Sequence, residues 1–367
     1  MQDSGLWISA QAAAELQVPE VREAFIELLH DCGLRLTSLN GFPYGQFHEG
    51  AVKAEVYRPT WAEPQRLEYS LQLAHLLAAA LPLDCQQGVI SSVPFGYAAT
   101  WDEAQQQQAE THLRQLTAEL ASLHRSSGRK ILVCLEMEAD CVLENTDQAL
   151  AFFKHWQATD PHHGYLALCF DVCHQAVVFE DCYQSLQRLL DARVPVGKIQ
   201  LSNALICQLP FADRPRRQQV LQALGNFAEA TYLHQVKARD MAWQLLAWAD
   251  LPGALDAAEP AQGQCPELRI HFHVPLFSEQ FLLAELSGSQ QALLRTFDFL
   301  AAHPNFQPVL EVETYSWNVL PGALRPDSEQ ALLQGIAAEL QWVEGQLRQR
   351  HLLRTHSSAL EAPAHAF

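Results

Sequence analysis

The pattern that most constrains the fold is a regular alternation of short apolar segments with longer amphipathic stretches. Eight apolar segments occur, and between them apolar side chains recur at intervals of three and four residues. Eight such repeats without a glycine-rich phosphate-binding turn favour a closed (β/α)8 TIM barrel over a doubly wound open sheet. The predicted strands are residues 5–9, 33–39, 88–95, 130–138, 165–174, 196–205, 268–275 and 308–317.

The same pattern sets the expected domain organisation. We predict one barrel domain over residues 1–350 and a disordered tail over residues 351–367, because the tail is rich in small and polar residues. About 36 residues from Tyr232 to Glu267 interrupt the alternation. A connection of that length predicts a long irregular loop that is either functional or disordered.

Composition excludes some classes of partner. The chain carries 24 basic and 42 acidic side chains, a formal charge of -18, which disfavours nucleic acid and anionic membrane surfaces. Neither a signal peptide nor an 18-residue apolar span is present, so we expect a cytoplasmic protein. The partner that remains is a small-molecule metabolite, and homo-oligomerisation stays open.

Polar residues end several of the predicted strands. Residues two apart share a face of a strand, so the pairs Glu136/Glu138, His271/His273 and Glu311/Glu313 each project in one direction. In a barrel, inward residues at the carboxyl ends of the strands meet at one site. Asp171, His174, Gln200 and His234 complete a ring of oxygen and nitrogen donors there.

A divalent cation satisfies such a ring, and mixed carboxylate and imidazole donors fit Mn²⁺, Mg²⁺, Zn²⁺, Fe²⁺ or Co²⁺ equally well. Structural roles are the alternatives. A lone glutamate could form an ion pair with Arg35 or Lys198, and His271 and His273 could be hydrogen-bonded core residues. Asp171 and His174 could be a helix cap and a histidine in the first turn.

Two further positions are candidates for a substrate pocket. The loop NGFPYGQFHEG follows the second strand, and its Tyr44 and His48 would lie at the mouth of the barrel. Trp317 follows Glu313 and could stack on the face of a sugar. The alternatives are a tight turn for the loop and core or rim packing for Trp317.

Several of these motifs resemble a known group of proteins. The D-V-C-H turn at residues 171–174, the L-E-M-E ending at 135–138 and the E-V-E-T ending at 311–314 are similar to the xylose-isomerase-like TIM-barrel superfamily of sugar isomerases, epimerases and type IV apurinic endonucleases. More narrowly, LNGFPYGQFH, CVLEN, YLHQV, HFHVP and LEVETYSW resemble the EboE-type metabolite traffic proteins. The resemblance covers residues 5–347.

The resemblance implies roles for individual residues. Glu136, Asp171 and Glu313 would bind the metal, and His174 would be a ligand or a substrate contact. Superfamily members usually end strand six with a histidine, whereas this chain has Gln200, a weaker donor, for which His234 or His271 would compensate. The resemblance also implies a chain shortened before GLWIS, with weaker barrel closure beside strand eight.

These residues lead to three functional hypotheses. The first is a metal-dependent isomerase or epimerase acting on a small polyhydroxylated or carbonyl metabolite in the processing or traffic of secondary-metabolite precursors. Glu136 and Glu313 would act as base and acid, and Glu138, His273 and Glu311 would line the pocket. The second is a non-catalytic metabolite carrier or scaffold. The third, a phosphodiesterase of the type IV apurinic endonuclease kind, is disfavoured by the charge.

Overall fold

The computed structural model describes residues 2–45, 53–210, 213–240, 242–258 and 266–353. His48 and residues 354–367 of the predicted tail lie outside this part of the chain. The β-strands are, in chain order, β1 (Gln2–Trp7), β2 (Leu34–Asn40), β3 (Gln87–Ser92), β4 (Lys130–Glu136), β5 (Leu166–Asp171), β6 (Val196–Leu201), β7 (Ala204–Gln208), β8 (Val236–Arg239), β9 (Leu245–Trp248), β10 (Glu267–His273), β11 (Gln280–Phe281), β12 (Leu283–Gly288) and β13 (Val309–Val312).

An α-helix lies between each two successive strands from β1 to β6, as the sequence predicts, whereas several of the later strands follow one another without a helix. The α-helices are α1 (Ala10–Glu15), α2 (Pro19–Asp31), α3 (Pro64–Ala80), α4 (Glu103–Ser127), α5 (Thr146–Thr159), α6 (Val172–Val177), α7 (Cys182–Asp191), α8 (Arg214–Gly225), α9 (Leu251–Ala258), α10 (Gln290–Ala302) and α11 (Glu329–Gln349). None of the described helices is long and apolar enough to cross a membrane.

Seven strands form a parallel sheet in the order β1-β2-β3-β4-β5-β6-β13, which curves into a nearly closed barrel. The prediction of a TIM-type barrel is therefore confirmed, with seven strands in its wall. Apolar side chains on the outer face of this sheet pack against the surrounding helices and form the main core. No ladder joins β1 to β13 among the described residues, so these two strands are the edges of the sheet.

The predicted seventh barrel strand lies in a different sheet. Residues 268–275 largely coincide with β10, which pairs antiparallel with β7 and β8 in a six-stranded sheet of order β11-β12-β7-β10-β8-β9. The predicted sixth strand is also divided, because the chain leaves the barrel after Leu201 and resumes as β7. β10 runs antiparallel to β7, so its last residue, His273, pairs with Ala204, the first residue of β7. This position lies just beyond the carboxyl end of β6.

The second sheet also accounts for much of the segment from Tyr232 to Glu267. Its described part contains the antiparallel pair β8 and β9 and the helix α9. Apolar residues of these elements and of α8 form a second core. The prediction of a long irregular loop is therefore wrong for the described part of this segment.

The barrel interior combines a small apolar cluster with a buried ion pair. The cluster consists of Val89, Leu132, Cys134, Ala167 and Cys169, with Val309 packed against it. Beside it, fully buried Lys198 places its Nζ 2.8 Å from Glu311 Oε1. Burial acts to lower the pKa of Lys198, but the Glu311 carboxylate outweighs it and the net pKa is raised.

The Glu311 carboxylate also lies against residues of β1 and β2. Ser38 Oγ on β2 donates a short hydrogen bond to Glu311 Oε2. A side chain at Gly5 on β1 would overlap Glu311 Oε2, since a Cβ atom there would lie 1.8 Å from it. Glu311 therefore forms an ion pair with Lys198, which was the structural alternative for a lone glutamate. Arg35, the other candidate partner, pairs with Asp3 and Asp84.

Replacing Lys198 with methionine should destabilise the protein, because the Glu311 carboxylate would remain in the barrel without its cation. Loss of one member of a buried ion pair costs about 3–5 kcal/mol of unfolding free energy. Urea unfolding measures this, and the double variant Lys198→Met/Glu311→Gln should recover most of the loss. The exposed Lys154→Met control should change stability by less than about 0.5 kcal/mol. A cost below about 1 kcal/mol for Lys198→Met would show that the pair does not stabilise the barrel.

Candidate metal and active site

Three carboxylates meet at the carboxyl end of the barrel. Glu136 ends β4, Asp171 ends β5 and Glu313 follows β13, and each has an oxygen within 4.8 Å of an oxygen of the other two. Glu136 and Asp171 are buried and Glu313 is half-buried. Burial, followed by the Glu313 and Asp171 charges, raises the pKa of Glu136 well above its usual range. Burial and the Asp171 charge do the same to the pKa of Glu313.

Asp171 is held in place by its local structure. It is the N-cap of α6, and its Oδ1 accepts hydrogen bonds from the His174 backbone N–H at 2.9 Å and from Ser202 Oγ at 2.7 Å. Burial acts to raise its pKa, but the charges of His174 and His273 and these hydrogen bonds outweigh burial, so the net pKa is lowered. The helix-cap alternative therefore holds for Oδ1, while Oδ2 has no hydrogen-bond partner.

Several buried polar atoms around this point lack a hydrogen-bond partner. They are Glu136 Oε2, Asp171 Oδ2, His273 Nε2 and both amide atoms of Gln200. Unpartnered buried polar atoms are rare, because each loses its hydration without compensation. A cation bound by several of these atoms would satisfy them together, so the donor set fits a divalent metal.

The strand register explains why His273 and Gln200 belong to this group. Gln200 pairs with Asp171 on β5 and with Glu311 on β13, so its side chain lies on the same inner face. His273 Nδ1 lies 2.9 Å from the Glu313 carbonyl oxygen, which can only accept, so Nδ1 carries the proton. Burial lowers the pKa of His273 to about 3, which leaves its Nε2 lone pair available to a metal. Asp171, His174 and His273 also lie close enough to share an ion.

A second group of donors, Glu138, His174 and His271, lies beside the first. His174 Nδ1 lies 2.8 Å from the Met137 carbonyl oxygen and must donate to it. The side-chain amide nitrogen of Gln235 contacts Glu138 Oε1 and the Ala139 carbonyl oxygen, so its Oε1 accepts from His271 Nδ1 at 2.7 Å.

These hydrogen bonds leave two lone pairs in contact. His174 Nε2 and His271 Nε2 are 3.0 Å apart, and neither carries a proton in the neutral tautomer that its Nδ1 contact selects. One proton or one cation must therefore lie between the rings. Burial acts to lower the pKa of His174, but the Asp171 and Glu138 carboxylates outweigh it and raise the net value.

Glu138 provides the compensating negative charge. Its Oε2 is 3.4 Å from His174 Nε2, and its Oε1 is 3.2 Å from His271 Nδ1 and accepts from Tyr57 Oη at 3.0 Å. Burial acts to raise its pKa, but His174, His271 and the hydrogen bonds lower it to about 2. The pKa values of Glu136 and Glu138 therefore shift in opposite directions. Glu136 lies among like charges, whereas Glu138 lies among imidazoles and hydrogen-bond donors.

Not all the predicted site residues join these groups. His234 places Nδ1 3.0 Å from the His271 carbonyl oxygen and Nε2 3.0 Å from Glu229 Oε1, so both nitrogens are used outside the site. The prediction of His234 as a ligand is therefore not supported. Tyr44 packs against Tyr69 and Arg66 rather than the site.

Trp317 does face the cavity described below, and its Nε1 donates to buried Glu339 at 3.1 Å. Four other contact residues did not emerge from the sequence. Tyr57 and Gln235 orient Glu138 and His271, Ser202 orients Asp171, and Asn40 Nδ2 donates to Glu313 Oε1 at 3.1 Å. Asn40 had a usable signal, since it directly follows the predicted strand 33–39, and in the structure it ends β2 as Glu136 ends β4 and Asp171 ends β5.

A cavity of about 380 Å³ opens onto these side chains. Glu136, Glu138, His174, His271, His273 and Glu313 line it together with aromatic and aliphatic residues and with a few further polar ones, among them Lys53 and Glu311. Its volume lies at the lower end of the range of about 300–1,000 Å³ typical of small-molecule sites. The arrangement can therefore bring a small ligand against carboxylates and imidazoles at once.

Comparisons with known proteins add resemblance in fold. No family model matches the chain, and no curated protein matches it. The solved structures that resemble it include the probable 3-DHS dehydratase AsbF of Bacillus anthracis, at 17% identity, covering 56% of this chain and 64% of that one with a TM-score of 0.37. Another is the 3-keto-D-glucoside 4-epimerase YcjR of E. coli, at 12% identity, 93% and 89% coverage and a TM-score of 0.42.

A D-tagatose 3-epimerase-like protein also resembles the chain, at 9% identity, 95% and 99% coverage and a TM-score of 0.45. Similarity at this level carries no argument about the reaction. We therefore base the functional proposal on the side chains of the site.

Glu136→Gln and Glu138→Gln should have opposite effects on the stability of the metal-free protein. Glu136→Gln removes a charge that two neighbouring carboxylates repel, and we expect it to stabilise by about 1–2 kcal/mol. Glu138→Gln removes the counter-charge of two imidazoles and should cost about 1–3 kcal/mol. Urea unfolding at pH 7 in EDTA measures both. Equal effects from the two variants would contradict the electrostatic difference described above.

Proposed function

We propose that the protein is a divalent-metal-dependent isomerase or epimerase that acts on a small polyhydroxylated metabolite by proton transfer next to a carbonyl group. The observation that carries the proposal is the set of unpartnered atoms Glu136 Oε2, Asp171 Oδ2 and His273 Nε2 beside Glu313, at the inner end of a ligand-sized cavity. The barrel places this set where TIM barrels carry their active sites.

Glu136, Asp171, His273 and Glu313 would hold the metal, with Gln200 as a further oxygen donor. His174 and His271 face each other in the adjacent group and would contact the substrate or a second cation. When bound, a divalent cation polarises the hydroxyl and carbonyl oxygens of a ligand.

Proton transfer falls to Glu136 and Glu313. Both line the cavity, so either carboxylate would lie beside a bound ligand whose carbonyl group the metal polarises. Asn40 fixes the orientation of Glu313 through its hydrogen bond to Oε1. Which of the two acts as base depends on the face of the substrate carbon that carries the proton.

Other side chains position the ligand. A proton shared by His174 and His271 would give this pair one positive charge beside the ligand, and Glu138 would stabilise that charge. Tyr57 and Gln235 hold Glu138 and His271 in that arrangement. The resemblance to EboE-type proteins suggests a role in the processing or traffic of secondary-metabolite precursors in the cytoplasm.

Metal binding should depend on Asp171 and should not depend on His234, which the sequence pattern had included among the ligands. We expect metal-depleted protein to take up Mn²⁺ and to melt at a higher temperature when loaded. Asp171→Asn should weaken binding by about 100-fold or more, because it removes a charged donor shared by two groups. His234→Gln, the matched control, should bind Mn²⁺ as the native protein does. Mass-spectrometric metal analysis and thermal melting measure this, and native protein that takes up no ion would refute metal dependence.

Turnover should appear as exchange of a carbon-bound proton with solvent. We expect Mn²⁺-loaded protein in D₂O to exchange the proton next to the carbonyl of one member of a panel of ketohexoses and keto-inositols, followed by NMR. Glu136→Gln and Glu313→Gln should each lower the rate by about 10²–10⁴-fold. Binding of a panel member without exchange would favour the alternative, a non-catalytic metabolite carrier on the same barrel.

A further inference from the structure

Two donors of the candidate site, Glu313 and His273, come from different sheets. Glu313 follows β13 of the barrel, and His273 ends β10 of the second sheet. Within the described ranges no strand ladder joins these sheets, so contacts beyond the strand ends must set the distance between the two donors. One such contact is the hydrogen bond from His273 Nδ1 to the Glu313 carbonyl oxygen, and Ser316 Oγ donates a second one to the His273 carbonyl oxygen.

A buried carboxylate on α11 joins the same two segments. Glu339 Oε1 accepts hydrogen bonds from Thr314 Oγ1 at 2.6 Å and from the Leu276 backbone N–H at 3.0 Å. Its Oε2 accepts a hydrogen bond from Trp317 Nε1 at 3.1 Å. Thr314 directly follows Glu313, and Leu276 lies three residues after the end of β10. One side chain of α11 therefore binds the segment after β13 and the segment after β10 together.

The burial of Glu339 shows that these hydrogen bonds are its main contribution. The residue is 1% exposed, and among the described groups none that shifts its pKa is a cation. Burial raises the pKa of Glu339, and the hydrogen bonds from its three partners act against that rise. A buried carboxylate without a cation costs free energy, whereas an apolar side chain of similar size would pack without that cost. What a leucine could not supply at this position is the link between the two segments.

The same helix also fixes the ring of Trp317. A Cβ atom at Gly335, one turn before Glu339, would lie 2.7 Å from Trp317 Cη2, so the ring packs directly against the helix backbone. Trp317 lines the cavity, whereas Glu339 does not. Glu339 therefore acts on the site through the residues that it binds, and it does not touch a ligand in the cavity.

We propose that Glu339 is a positioning residue that fixes Glu313 and His273 relative to each other without contacting a ligand or an ion. Its three hydrogen bonds hold the segment after β13 against the segment after β10. The consequence for a bound metal rests on the proposed function, because Glu313 and His273 are two of the proposed ligands. The consequence for the order of the two segments does not rest on it.

The variants Glu339→Leu and Glu339→Gln of the full chain test this role. Leucine removes all three hydrogen bonds, whereas glutamine keeps an acceptor for Thr314 and Leu276 and turns its amide group toward the Trp317 N–H donor. We expect the affinity for Mn²⁺, measured by isothermal titration calorimetry, to fall about 10–100-fold in Glu339→Leu, as it does when other residues that orient metal ligands are replaced. The loss should be smaller in Glu339→Gln.

Hydrogen–deuterium exchange of the metal-free protein gives a second measurement, in which no ion takes part. We expect the amides of residues 274–278 and 313–320 to exchange about 10-fold faster in Glu339→Leu than in native protein, because local opening of these segments becomes easier. Val343→Ala is the matched control, since Val343 is buried one turn further along α11 and packs in the main core. This control should lower the melting temperature but keep native Mn²⁺ affinity and native exchange in the two segments.

Where native protein binds Mn²⁺, an unchanged affinity in Glu339→Leu would overturn the proposal, and so would a lost affinity without faster exchange in the two segments. Equal losses in Glu339→Leu and Val343→Ala would overturn it too, because Glu339 would then only stabilise the fold. If Glu339→Leu does not fold, Glu339→Gln decides by the same two measurements. Native protein that takes up no Mn²⁺ would refute the proposed function, and the exchange of the two segments would then decide the positioning role by itself.

Discussion

The structure depends on the concentration of negative charge at one end of the barrel. Glu136, Asp171 and Glu313 lie within 4.8 Å of one another, and Glu311 lies further inside. Carboxylates in a region of low polarity repel one another and lose hydration, so each requires a compensating group. Lys198 compensates Glu311, backbone and hydroxyl donors bind one oxygen of Asp171, and Asn40 donates to Glu313. Glu136 Oε2 and Asp171 Oδ2 have no hydrogen-bond partner, and a cation would compensate them.

The displaced strand β10 contributes the imidazoles of the same site. Because it runs antiparallel to β7, its end returns to the carboxyl end of β6 and brings His271 and His273 to the carboxylates from outside the barrel. The imidazoles therefore come from the second sheet, and the acids come from the first.

Much of the barrel and its carboxylates could be predicted from the sequence. Acids near the carboxyl end of a barrel strand meet at one site, and residues two apart on a strand point in the same direction. That rule identified Glu136, Asp171 and Glu313. It also placed Glu311 at the cavity, which Glu311 lines, but the ion pair with Lys198 could be named only as an alternative, because a local pattern does not show which strand a neighbouring charge lies on. His234 was misplaced because it depends on how the second sheet packs, which orients its ring against Phe272. Gln235 and Tyr57 act through long-range hydrogen bonds and left no local signal.

The cap at the start of α6 has a consequence for the kind of ion the site can hold. Oδ1 of Asp171 accepts hydrogen bonds from the His174 backbone and from Ser202, so the carboxylate has a fixed orientation in which Oδ2 has no hydrogen-bond partner. The residue loses little rotational freedom when an ion binds, since the fold has already ordered it. Asp171 would hold an ion through Oδ2 alone, and a diol or a hydroxyketone would supply further oxygen donors.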